Sequence, residues 1–170
     1  MSEIEAWLRD KVLGFAQLSR AELDAINGFA FLWGLFEGRV FPNGAGATAI
    51  CDAVQRWHDE GLLNAAEFEE EIGYFCARYS ENGQHSPRFS RLELRRNDKP
   101  ELVAAVVAGA TNDPVERVCA MLIIIYRFRN NLFHGLKWQY RLAGQLDNFR
   151  TANGVLTKLL LRHGRLSDEA

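Results

Sequence analysis

Cysteine is scarce and unpaired in this chain: Cys51, Cys76 and Cys119 are an odd number, set far apart, with no paired-ligand spacing. Neither a disulfide framework nor a zinc site is indicated, so the three read as reduced core residues. Histidine is equally sparse, and His58, His85, His134 and His163 show no spacing that would gather metal ligands together with carboxylates. No uninterrupted apolar run approaches membrane-spanning length, and no secretory signal precedes Met1-Ser2-Glu3-Ile4. The expectation is a soluble, cytoplasmic protein with no membrane partner, no metal and no cofactor.

Apolar residues, by contrast, are plentiful. They make up 48% of 170 residues, enough for one domain, residues 1–170, with a real core. The net charge of −2 is spread unevenly: residues 1–81 hold 6 Lys+Arg against 14 Asp+Glu, and residues 82–170 hold 14 against 8. A basic half suits an RNA-contacting face, although solvated helical domains carry such asymmetry too, and a dimer could use it to pair opposite faces.

Helical periodicity runs through most of the chain. Ile4, Leu8, Val12 and Phe15 predict a helix from about Glu3 to Leu18. Ser19-Arg20-Ala21-Glu22 reads as a capping box that opens a second helix reaching Arg39 or Val40. Its apolar run Gly28–Phe36 makes it central, with Gly28 and Gly34 placed where another helix comes close. A third helix is expected from about Thr48 to Glu60, and a fourth from an Asn64 cap to about Tyr79, with Glu67, Glu69, Glu70 and Glu71 on a solvated face. Residues 80–99 read as a long basic loop in which arginines and aromatics could grip single-stranded RNA, the plainer reading being a surface connection. A short helix from Pro100 to about Ala110 follows. Trp138, Leu142, Leu146 and Phe149 then open a last helix or broken pair that ends near His163, which suits the helix dipole there, with a frayed tail over residues 166–170. The whole is an all-α bundle of about six to seven helices.

The chemistry is densest in Tyr126-Arg127-Phe128-Arg129-Asn130-Asn131-Leu132-Phe133-His134-Gly135. Asp113-Pro114-Val115-Glu116 starts the helix that leads there, and Val118–Ile125 is apolar all round, which marks a buried helix that delivers a polar end. On regular geometry Arg127, Asn130, Asn131 and His134 share one stripe, because seven residues turn through about 700°. A guanidinium fork suits phosphate oxygens, and an imidazole exchanges protons near neutral pH. The plainer reading is that solvated arginines and capping asparagines simply end a helix.

Arg129-Asn130-Asn131-Leu132-Phe133-His134 resembles the motif of HEPN-domain proteins: an Arg followed directly by a polar residue, then His after four to six intervening residues. The aliphatic helix before it resembles that superfamily too, and the resemblance as a whole covers roughly residues 20–163. Both Arg127 and Arg129 satisfy the spacing; helix geometry favours Arg127, and the polar residue at Asn130 favours Arg129, which is taken as the motif arginine. The resemblance implies a metal-independent endoribonuclease of the toxin, antiviral or RNA-processing kind, working as a homodimer on RNA. In that role His134 is acid or base, Arg129 stabilises the phosphate, and Asn130 orients one of them. Arg127, Asn131 and Lys137 are candidate substrate contacts, and Glu37 a candidate acidic partner of the arginines, with an exposed helix-end carboxylate as its plainer reading. An antitoxin or regulatory partner is a further expectation. The competing reading is a catalytically silent HEPN-like module that dimerises or binds a nucleotide or partner protein.

Overall fold

The computed structural model describes residues 2–133 and 142–166. Trp138 and most of the expected tail lie outside the described residues. The fold is all-α, with seven α-helices and one two-stranded hairpin among the described residues. None of these helices is long and apolar enough to cross a membrane. The chain divides into two compact units, one made of Met1–Val40 with Arg129–Ala170, the other of Phe41–Phe128.

The first unit begins with α1 (Glu3–Lys11), capped by Ser2, whose hydroxyl accepts from the Glu5 amide at 3.1 Å. This helix was expected to continue to Leu18. It stops because Val12 turns extended and Gly14 takes a left-handed conformation at φ +82°, after which a single 3-10 turn, Phe15–Gln17, follows. Phe15 and Leu18 still reach the core, but by the turn rather than by a helical stripe.

The Ser19–Glu22 capping box is present in full, with the Ser19 amide donating to the Glu22 carboxylate at 2.9 Å and the Glu22 amide donating to Ser19 Oγ at 3.2 Å. It opens α2 (Arg20–Val40), which buries Phe29, Trp33 and Phe36. Against it lies α7 (Leu146–His163): the Phe29 and Phe149 rings meet edge-on at 5.2 Å, and Asn153 Nδ2 donates to the Ala25 carbonyl at 3.0 Å. The Asn153-Gly154 step does not break α7, because the amide is used across the interface. Gly28 permits this approach, since a Cβ there would stand 3.1 Å from Asn153 Nδ2. Gly34 has no such role among the described residues: it is exposed, with none of their atoms within 4 Å of a Cβ. At the end of α7, burial and the neighbouring Arg162 push the His163 imidazole down to about 4, so it is neutral at pH 7 and does not offer the dipole the charge expected of it.

In the second unit α3 (Ala47–Asp59) buries Ile50, Val54 and Trp57, as their spacing predicts, and Gly61 follows at φ +70°. The fourth helix starts late. Residues Ala65–Phe68 form a 3-10 turn, and α4 covers Glu69–Tyr79, while the Asn64 side chain donates to Glu67 instead of capping backbone. The acidic run is not uniformly solvated: Glu69 grips Arg117 through two 2.7 Å bonds, and Glu71 is buried.

Residues 80–99, expected as a loop, are ordered by local chemistry. Asn82-Gly83, both at positive φ, form the tight turn between β1 (Ser80–Glu81) and β2 (Gln84–His85), the dipeptide that two-residue hairpins favour. His85 stacks on Phe89 with ring centroids 4.3 Å apart and lies 3.1 Å from the Ala104 carbonyl. Two 3-10 turns, Phe89–Leu92 and Arg96–Asp98, bury Leu92 and Asp98 while Arg88, Arg91, Arg95 and Arg96 stay exposed. A short α5 (Pro100–Val107) leads to α6 (Pro114–Phe133), which passes from this unit into the first.

Two outcomes check these packing statements. Gly28→Ala should destabilise by about 1–2 kcal/mol, because crowding Asn153 outweighs the gain in helix propensity, whereas Gly34→Ala should stabilise by about 0.5–1 kcal/mol, both read from urea midpoints. His163 is held neutral, so its contribution is whole above its unfolded value near 6.5 and is lost as pH falls toward 4. For a half-buried ring screened by solvent the loss should be about 1 kcal/mol, and His163→Gln should flatten that part of the stability profile.

Candidate functional site

The start of α6 differs in one detail from a simple capping box. Asp113 Oδ1 accepts from the Glu116 amide at 2.9 Å, but the Glu116 carboxylate turns to the Thr111 hydroxyl, and Thr111 Oγ1 accepts from the Asp113 amide at 3.2 Å. Three side chains therefore fix where the helix begins. Val118–Ile125 are all buried, so the apolar run does what its composition requires and sets the register of the helix within its unit.

That register separates the two candidate arginines. Residues two apart on a helix point about 200° from each other, so Arg127 and Arg129 meet different surroundings. Arg127 belongs to the Phe41–Phe128 unit and is 2% exposed. Its Nη1 stands 3.1 Å from Asp98 Oδ2, and its Nε donates to the Leu92 carbonyl at 3.1 Å. Asp98 Oδ2 also accepts from the Arg95 amide at 2.7 Å. The expected role of Arg127 as a second phosphate contact has no exposed surface to work with. Its guanidinium instead binds both 3-10 turns of the 80–99 segment.

Arg129 lies in the other unit with its side chain 29% exposed. Its Nη1 donates to Asn130 Oδ1 at 3.1 Å, and its Nη2 stands 3.5 Å from Glu37 Oε2. Glu37 therefore pairs with Arg129 and is itself held by the Trp33 indole N–H at 3.1 Å. The guanidinium also lies 5.7 Å from the centre of the exposed Phe133 ring. Asn130 is buried and Asn131 half-buried. His134 and Lys137 lie outside the described residues.

These positions put a permanent cation near the end of α6, oriented by an amide on one side and a carboxylate on the other. A guanidinium has five N–H donors, more than these two partners use, so the group remains competent to receive an oxyanion. Sequence reading missed Asp98, whose signal was a carboxylate inside the basic run Arg95-Arg96-Asn97-Asp98. It also missed Phe133, whose only signal is a place on the turn that carries Arg129. No family model, curated protein or solved structure matches the chain.

The two arginines should respond oppositely to truncation. Arg127→Ala strands the buried Asp98 carboxylate and should cost about 3–5 kcal/mol, with much of the loss recovered in the apolar double variant Arg127→Met/Asp98→Leu. Arg129→Ala removes a part-exposed pair and should shift stability by no more than about 1 kcal/mol. Urea denaturation of the four proteins, wild type included, reads both.

Proposed function

We propose that this protein is a metal-independent endoribonuclease of HEPN type that cuts RNA at a site shared across a homodimer. The observation that carries the reading is the state of Arg129: part-exposed, fixed by Asn130 and Glu37, and followed by His134 after four intervening residues in the sequence. Arg127, the rival for the motif position, is spent inside its own unit.

The chemistry follows from what RNA brings with it. Its 2′-hydroxyl is the nucleophile, so the protein must take that proton, protonate the departing 5′-oxygen and stabilise the phosphorane between. Arg129 supplies charge and a donor fork to the non-bridging oxygens. Asn130, accepting from Nη1, keeps the fork from swinging away. His134 moves the protons, and because one chain contributes one such imidazole, a two-fold pair supplies the acid and the base together. The exposed arginines at 88, 91, 95 and 96 would add attraction for a polyanion. The products carry a 2′,3′-cyclic phosphate and a 5′-hydroxyl. A role in toxicity or antiviral defence, with an antitoxin or other regulatory partner restraining the activity, fits such an enzyme.

One observation favours a second reading. Glu37 already sits beside Arg129, and a guanidinium satisfied within the fold can be purely structural. On that reading the chain is a catalytically silent dimerisation, nucleotide-binding or partner-binding module.

Incubation with tRNA and total RNA in EDTA separates the two. The nuclease reading predicts cleavage that falls by about 100-fold or more in Arg129→Ala and in His134→Ala while dimerisation persists. A folded, dimeric wild-type protein that leaves every RNA intact establishes the binding module instead.

A further inference from the structure

The early end of α1 leaves a space that its own unit does not fill. No residue of α1 is buried, although Ile4 and Leu8 share an apolar stripe. The helix is tied down from its polar side instead: Arg9 donates to the Ala16 carbonyl at 3.2 Å and to the Leu18 carbonyl at 3.5 Å, and it pairs with Glu5 at 3.2 Å. Leu8 then forms one wall of a cavity of about 470 Å³, partly open to solvent. Phe15 and Leu18, placed there by the turn at Gly14, form a second wall; Leu23 and Ile26 of α2 and Leu142 ahead of α7 complete it. All of these residues belong to the first unit.

Close-packed interiors seldom keep such a void. It is about three times the ~150 Å³ that admits a benzene, and it falls in the range of small-molecule sites. The polar groups of its lining decide what chemistry suits it. Ser2 Oγ already accepts from the Glu5 amide, and the Glu5 carboxylate is engaged by Arg9. Arg20 is different. Its Nε pairs with Asp24 at 3.0 Å and its Nη1 stands at a loose 3.5 Å from Glu5, while its Nη2 has no hydrogen bond among the described residues. The exposed Asn27 side chain, two turns along the same face of α2, has none among them either. The cavity therefore combines an apolar interior with spare N–H donors, and its acceptors are already occupied.

We propose that this cavity binds a free medium-chain monocarboxylate, with one alkyl chain in the apolar space and the carboxylate on Arg20 and Asn27. The proposal is independent of the nuclease reading. At roughly 30 Å³ per heavy atom, close to the share of a liquid water, the space takes about fifteen atoms, so one chain fits and two do not. A cationic head would meet only carboxylates that already hold arginines, and would stand beside Arg20. A bound chain also gives α1 the apolar contact that it lacks, so the ligand stabilises the folded protein.

The test is calorimetric titration of the full-length protein with dodecanoate below its micelle concentration, alongside dodecyltrimethylammonium and phosphatidylglycerol vesicles. The expected result is saturable binding of one dodecanoate per chain with a raised thermal midpoint. Arg20→Gln should weaken binding by about tenfold, the loss of one charge-assisted contact. Leu8→Trp and Leu142→Trp, which fill the space from two different walls, should each abolish binding while the thermal midpoint of the free protein is kept. Folded wild-type protein that takes up no dodecanoate overturns the proposal, as does undiminished binding in both filled variants. Equal affinity for dodecyltrimethylammonium, or capture by the vesicles without a response to free dodecanoate, overturns it too.

Discussion

A charge buried on an apolar helix must find its counter-charge inside the fold, and Arg127 is where this chain meets that constraint. Leaving a guanidinium unpaired at 2% exposure would cost several kcal/mol, so Asp98 and the Leu92 carbonyl have to be delivered to it. That requirement organises residues 80–99, a segment with too few apolar side chains to order itself. The hairpin at Asn82-Gly83, the His85–Phe89 stack and the two 3-10 turns are the local devices that bring Asp98 into place.

The same helix carries Arg129 two residues further on, and helical geometry alone gives it another fate. One arginine is structural and inaccessible; the other is part-exposed and held by groups that orient it. Spacing in the sequence treats the two alike, and burial distinguishes them. Functionally this matters because an arginine already committed to a buried carboxylate has little left to offer a phosphate, whereas one in a shallow, half-solvated pair can exchange partners at small cost.

Much of the fold was legible because it depends on short-range signals. The Ser19–Glu22 box, the Asp113 cap, the stripe Ile50-Val54-Trp57 and the length of α2 all follow from residues within two turns of one another. What escaped depended on partners distant in the chain or on single backbone conformations. Gly14 broke a stripe that was otherwise regular, Glu71 left the solvated face its neighbours keep, and Gly34 proved to be an exposed glycine with nothing among the described residues within 4 Å of a Cβ. At the candidate site a pairing of Glu37 with an arginine was one of two readings the sequence left open, the exposed helix end being the plainer, while the Asp98–Arg127 pair was not considered, because nothing in a basic run announces which carboxylate will be drawn inside.

The nuclease reading makes a chemical commitment that no inert fold could satisfy by accident. RNA incubated with the protein in EDTA should acquire 2′,3′-cyclic phosphate and 5′-hydroxyl ends, the signature of attack by the neighbouring 2′-oxygen with Arg129 on the phosphate. Ends bearing 3′-hydroxyl and 5′-phosphate groups, or cyclic ends formed equally well by Arg129→Ala, would contradict the account.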